Sequence, residues 1–224
     1  MKLNISMLLI FYICFKVFIP YELFSIAKLV HDKGIGLLNY FQLTGVGYYV
    51  SSVILLDLVI YWQHRLFHTS NFLWRFHRVH HSDKFLDASS AFRFHPIEMF
   101  LSFGVKVFFI VALGLSPQGV IVFEVLLSSF AIFNHANLRL SNRLNRHLAR
   151  FFVTPDFHLV HHSDQRKIHD SNYGSFLSLW DKVFGSYLDS DIYLNDEFVT
   201  GLETPTKDKS VKIVSMLKLP FEKL

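Results

Sequence analysis

The stretch from His64 to Ser82, HRLFHTSNFLWRFHRVHHS, holds five histidines in nineteen residues, and HLVHHS repeats the spacing at His158 to Ser163. Each helical residue advances roughly 100°, so His64 and His68, at i and i+4, share a face. The two HxxHH boxes (His77, His80, His81 and His158, His161, His162) each hold three imidazoles within an arc of about 60°, and each box can aim them at one point. Neutral imidazole is the commonest side-chain metal ligand and suits zinc, copper, iron and nickel. Asp57, Tyr61, His64 and His68 follow one helical stripe, and Glu124, Ser128, Ala131 and His135 form a comparable one that delivers His135 to the same end. These nine candidate ligands are His64, His68, His77, His80, His81, His135, His158, His161 and His162. They exceed what one four-coordinate ion uses, whereas two ions accommodate them and leave room for dioxygen or water. A lone histidine is ordinarily a surface or hydrogen-bonded side chain, and His31 and His147 read that way.

Absences narrow the chemistry. The single Cys14 has no partner, which removes disulfide frameworks, cysteine zinc ribbons and iron-sulfur sites, so any metal is held by nitrogen or oxygen. HExxH is missing, as are the Glu-x-x-His pairs of soluble carboxylate-bridged di-iron bundles. The net charge of +4 comes from scattered lysines and arginines rather than a basic stripe with interleaved aromatics, which excludes nucleic acid as a partner.

The elements that must position the histidines are apolar. Half of the 224 residues are hydrophobic, more than a soluble core needs, and they are bunched into four runs: roughly Leu3 to Ile19, Val46 to Trp62, Ile97 to Leu115 and Val120 to Phe133. A spanning helix needs about 20 such residues, so the first three are long enough and the fourth is short. SPQG (Ser116 to Gly119) between the last two predicts a tight helical hairpin, one that crosses or only dips into the bilayer. The expected fold is an all-α integral membrane protein with about four transmembrane or re-entrant helices and a histidine-rich helical catalytic cap. If all four runs cross, the segments 64–94 and 136–224 share one side and hold 17 of the 22 lysines and arginines. The positive-inside rule makes that side cytoplasmic, with both termini there. The whole chain, 1–224, reads as one membrane domain. Within it, 1–45 is an N-terminal anchor and interfacial segment, about 50–187 is the histidine-box region, and 188–224 is a cytoplasmic tail.

Several motifs together resemble one family. DLVIYWQHRLFH, LWRFHRVHHS, SSAFRFHPIE, FNHANLRL and TPDFHLVHHS followed by DSNYGSFLSLWDKVFGSY occur in the order found in the fatty acid hydroxylase/sterol desaturase superfamily of membrane di-iron oxygenases. The resemblance runs from about Val50 to Tyr187 and implies two iron ions held by the nine histidines, with zinc a substitute in purified protein. Arg139 stands where some members carry a further histidine, which leaves one iron with an open or water-filled position. His95 and His169 are expected to back the site or supply an extra ligand. Asp57 is expected to accept from a ligating imidazole and fix its tautomer, with Asn137 and Glu124 weaker candidates for that role.

The reaction expected of such a site is attack on an unactivated C–H bond of a lipid, fatty acyl, sterol or related, taken laterally from the bilayer. Hydroxylation leads, with desaturation on the same site as the alternative. The electrons are expected from an external donor, a cytochrome b5-like or ferredoxin-like protein or a reductase, because no dinucleotide fingerprint or cluster motif is present. The expected residence is the cell inner membrane rather than the endoplasmic reticulum. Metal-ion transport and zinc-dependent hydrolysis are the readings from other classes. Transport sites sit near the bilayer midplane, whereas these boxes begin where the apolar runs end, and no glutamate base adjoins them.

Overall fold

A computed structural model describes residues 1–19, 21–194, 197–202 and 212–223. The described residues of the chain are helical, with isolated bridges in place of strands. In order, the helices are α1 (Lys2–Phe18), α2 (Leu23–Asp32), α3 (Leu37–Tyr40), α4 (Gly45–Thr69), α5 (Asn71–His81), α6 (Pro96–Leu113), α7 (Pro117–His135) and α8 (Asn142–Leu148). The shorter α9 (Pro155–His161), α10 (Arg166–His169), α11 (Leu179–Val183), α12 (Ser190–Tyr193) and α13 (Ile213–Lys218) follow, and a 3-10 turn, Ala88–Phe92, precedes α6.

Four segments are long and apolar enough to cross a membrane: Lys2–Tyr40, α4, α6 and α7. α7 exceeds its apolar run at both ends. Ser116 caps it by accepting from the Gly119 N–H, Pro117 starts it with a preset φ, and the polar Asn134 and His135 close its last turn. The SPQG hairpin forms as expected. Gly114 ends α6 in the left-handed region (φ 67°), and a Cβ there would meet the Ile35 carbonyl at 2.5 Å. The Tyr48 hydroxyl donates to the Gly114 carbonyl at 2.8 Å and ties the turn to α4.

Small residues let α4 and α7 approach closely, as helices surrounded by lipid require. A Cβ on Gly119 would stand 2.7 Å from the Ser52 Cβ, and the Ser52 hydroxyl accepts from the Ser116 N–H at 2.9 Å. α2 lies across α6 and α7, and Leu23, Ala27, Leu56, Ile60, Ile110, Leu115, Val120 and Phe123 form the bundle core. α1 runs against α6 through Phe11, Phe15, Phe100 and Phe103.

Part of the tail 188–224, residues 195–196, 203–211 and 224, lies outside the described residues. The described part packs back on the cap. Met216 and Leu219 join Met7 and Val79 in a second core, and Arg75 and Arg78 donate to the carbonyls of Leu219, Pro220 and Glu222. α5 is thereby clasped from its outer side.

Candidate metal centre

Four helices bring the nine histidines to one end of the bundle. His64 and His68 come from the last turns of α4, His77, His80 and His81 from α5, His135 from the end of α7, and His158 and His161 from α9, with His162 just beyond it. They form two sets. The ligand atoms of His64, His68, His77, His81 and His161 lie within 4.8 Å of one another, as do those of His80, His135, His158 and His162.

Neither HxxHH box points at one centre, which corrects the expectation from spacing. His77 and His81 join the set of five while His80 joins the set of four. In the second box His158 and His162 join the four while His161 joins the five. Consecutive residues diverge by roughly 100°. The i and i+4 members therefore share a face, and the middle histidine reaches across to the other set.

Which nitrogen faces inward follows from what the other one does. A neutral imidazole has one N–H and one lone pair. His64 Nδ1 donates to the Tyr173 carbonyl at 2.8 Å, and His77 Nδ1 donates to Glu98 Oε1 at 2.6 Å. Both Nε2 atoms are then bare lone pairs, yet they stand 3.1 Å apart. In the second set His135 Nδ1 donates to the Ala131 carbonyl at 2.7 Å. Its Nε2 lies 3.1 Å from His80 Nε2 and 3.2 Å from His158 Nε2, which is itself 3.2 Å from His162 Nε2. Ring nitrogens so close need a proton or a cation between them, since two bare lone pairs so placed repel one another. Nitrogens ligating one ion at 2.0–2.1 Å are about 2.9–3.4 Å apart in octahedral or tetrahedral geometry, so the donor sets fit metal.

The remaining members agree. His161 Nδ1 donates to the Ser171 carbonyl at 2.7 Å and His68 Nδ1 faces Asp170 Oδ1 at 3.1 Å, while their Nε2 atoms are buried without a hydrogen-bond partner. Burial pushes His77 down to about 3. Burial, reinforced by neighbouring imidazoles, holds His80, His81, His158, His161 and His162 well below the ordinary imidazole value. All are neutral and ready to ligate at pH 7.

The supporting residues differ from those expected. Asp57 is buried, but its carboxylate accepts from the Trp180 indole N–H at 2.7 Å. It braces α11 against α4 rather than orienting an imidazole. His95 caps α6, with Nδ1 accepting from the Ile97 N–H and Nε2 facing the Leu217 carbonyl, so it backs no ligand. Asn137 is exposed beyond the end of α7, and the backbone of α7 takes the role expected of it through the Ala131 carbonyl. Glu124 pairs with Lys106 at 2.8 Å as an interhelical contact. His169 stacks on Trp74 and groups with His68 and Asp170 at the edge of the set of five. Arg139 lies in the loop after α7, so the position one helical turn beyond His135 does not exist.

Among the described residues, Glu98 and Asp170 are the carboxylates that touch candidate ligands, and sequence reasoning assigned neither a role. The signal for Glu98 was an acid in the first turn of a membrane-length helix, a costly placement without a function. The NYG loop also serves the site. Asp181, its carboxyl raised to about 6 by burial, accepts from the Tyr173 and Gly174 N–H groups and so presents the Tyr173 carbonyl to His64.

A cavity of about 310 Å³ opens beneath the histidines among α1, α4, α6 and α7. Its walls are mainly apolar, including Met7, Phe11, Ile60, Phe67 and Leu127, and it reaches His64, His77, His80, His135 and His158.

Residues 49–186 match the family described as fatty acid hydroxylase. The chain is 30% identical over 172 residues to alkylglycerol monooxygenase of Danio rerio, covering 74% of this chain and 35% of that protein. It is 30% identical to an ornithine lipid hydroxylase of Rhizobium tropici, over 62% of this chain and 41% of that one. The same identity holds with lathosterol oxidase of Mus musculus, over 62% and 44%. The chain thus spans less than half the length of these curated relatives. No solved structure matches it significantly.

Proposed function

Because the chain belongs to the fatty acid hydroxylase family, we propose that it is a membrane-bound oxygenase that uses two iron ions to hydroxylate a C–H bond of a lipid. The observation that carries this reading is the position of two converging sets of imidazole lone pairs at the head of an apolar cavity. His64, His68, His77, His81 and His161 would hold one iron, and His80, His135, His158 and His162 the other. Bound iron supplies the oxygen-activating redox chemistry that side chains lack.

The overall change is RH + O₂ + 2e⁻ + 2H⁺ → ROH + H₂O, and the chain's own residues contribute orientation and exclusion of water. Glu98, Asp170 and the carbonyls of Ala131, Ser171 and Tyr173 hold the outer nitrogens, which keeps the inner lone pairs aimed at metal. The apolar walls seat an alkyl chain and keep the reacting carbon dry. Relatives named for alkylglycerols, ornithine lipids and a sterol support a lipid substrate. The two electrons come from a separate redox donor, and the basic histidine-bearing end faces the cytoplasm.

The test is ¹⁸O₂ labelling of lipids in cells expressing the chain or its His161→Ala variant. A labelled hydroxyl present only with the intact chain is the expected result. An unlabelled alkene would replace hydroxylation with desaturation, and identical lipids in the two strains, with donor supplied, would overturn the oxygenase reading.

A further inference from the structure

The apolar cavity beneath the histidines ends on charge. Ser102 and Lys106 follow Glu98 at steps of four on α6, and Glu124, Ser128, Ala131 and His135 recur at steps of three or four on α7. Each series therefore shares one helical face, and both series line the cavity. Lys106 and Glu124 are the lining residues of these two helices that stand farthest from the histidines. Glu98 marks the histidine level on α6 through its bond to His77. At a rise of about 1.5 Å per residue, the intervals from Glu98 to Lys106 and from Glu124 to His135 put the pair about 12–17 Å below that level. There the Lys106 ammonium donates to both carboxylate oxygens of Glu124, at 2.8 and 3.0 Å. An ammonium has three N–H donors, so at least one remains, and Lys106 has no other partner among the described residues. The pair is not sealed between the helices, since the two side chains are 12% and 37% exposed. Ionisable groups at membrane depth are expensive and mark binding sites or pathways. A pair that only braced α6 against α7 would have no need to line the cavity.

The geometry points to a hydroxyl subsite at the foot of the cavity, formed by Lys106 and Glu124. A hydroxyl matches both partners: its oxygen accepts from the remaining Lys106 N–H, and its O–H donates to a carboxylate oxygen of Glu124. The pair is neutral as a whole, so it suits an uncharged group, whereas a phosphate or carboxylate would bring an unbalanced charge into the hydrocarbon. A lipid anchored here lays its alkyl chain between the facing stripes of α6 and α7. It presents the far end of that chain to the histidines, rather than the carbons next to its hydroxyl. The substrate is then a neutral lipid alcohol oxidised about 12–17 Å from its hydroxyl, and Lys106 and Glu124 determine its specificity. The position of attack rests on the oxygenase reading, in which O₂, two electrons and two protons convert the distant C–H to C–OH and water. The subsite itself does not rest on that reading.

Binding to the full chain in lipid nanodiscs tests the assignment. Tritiated 1-dodecanol, whose extended chain matches this span, is the probe, with dodecane and dodecyl phosphate as unlabelled competitors and empty discs as the background. In the intact chain 1-dodecanol is expected to bind about tenfold or more tightly than either competitor, the scale of a hydrogen bond to a charged group. Lys106→Met with Glu124→Leu removes both charges at once and strands neither, so the bundle keeps its packing. The double variant should lose the preference of alcohol over alkane, and comparing the two chains cancels partition of the probes into the discs. Equal competition by dodecane in the intact chain, or a preference that survives the double substitution, would overturn the subsite. Tighter binding of dodecyl phosphate would also overturn it, since the pair would then serve an anion. A chain that shows the expected order but places no ¹⁸O on 1-dodecanol, with donor supplied, keeps the subsite and loses the oxygenase reading. Where label is incorporated, it is expected in the half of the chain that bears the methyl end, and label in the half next to the hydroxyl would overturn the position of attack.

Discussion

Five of the inward-facing imidazoles, those of His64, His68, His77, His135 and His161, are aimed by an outward partner, and these partners are of unequal kind. Glu98 is a carboxylate at 2.6 Å from His77, whereas His64, His135 and His161 lean on backbone carbonyls that substitution cannot remove. Glu98→Ala should therefore lower metal affinity by about 10–100-fold, with the fold retained, as read by chelator competition. An affinity unchanged by Glu98→Ala would reduce that carboxylate to packing. Asp57→Ala gives the contrasting outcome. It strands the Trp180 indole N–H, so thermal stability falls by about 1–3 kcal/mol while the metal content of folded protein is kept. His80→Ala and His161→Ala each strike a different set, so metal analysis should show about half of the metal lost in either variant and activity abolished in both. The nine histidines were legible from type and spacing alone. Their division was not, because it depends on where α5 and α9 are rotated relative to each other, and that is decided by contacts among residues some 80 positions apart. Asp57 misled for a related reason: a stripe on α4 identifies a face, but not which neighbour fills it.

Among the elements, the first three apolar runs were readable at membrane length, whereas the fourth, short as a run, reaches that length only because its caps extend α7 to Pro117–His135. The short cap helices were not, since α8, α9 and α12 start on side-chain caps and the rest are held by long-range contacts rather than by an apolar period. Thr154 illustrates this: its hydroxyl caps α9 and also binds Asn145 of α8 at 2.6 Å. The α4–α7 contact is the element-scale weak point. Gly119→Val would force a branched side chain against Ser52 and the Tyr49 carbonyl. The expected cost is about 1–3 kcal/mol in thermal unfolding. Metal stoichiometry of the folded variant should stay normal, because Ser52 lies twelve residues, or about 18 Å of helix, from His64. Loss of metal at full stability would mean that the two helices transmit position along their whole length.

For the whole molecule, the buried histidines at the cap couple stability to protons and, under the proposed function, to metal. With metal removed, burial in the folded protein keeps His77 neutral down to about 3 and His80, His81, His158, His161 and His162 neutral well below the ordinary imidazole value. The unfolded chain takes up protons near pH 6.5. The contribution present above about pH 6.5 is therefore lost as pH falls toward 3. Unfolding of metal-free protein should shift to lower temperature between pH 7.5 and 5.5, and added ferrous or zinc ion should raise it in proportion to the logarithm of metal concentration. A melting temperature indifferent to chelator would contradict two buried metal sites. The distribution of ligands along the chain carries one more consequence, for biogenesis. α4 and α7 can enter the membrane as they are made, with α5 at their head, but the set of five lacks His161 and the set of four lacks His158 and His162 until α9 follows. Neither set can close until that last box emerges, so metal insertion is a late, post-insertion event. In a metal-starved cell the product would be a threaded chain with an unlatched cap, and the cap would be where quality-control proteases first cut.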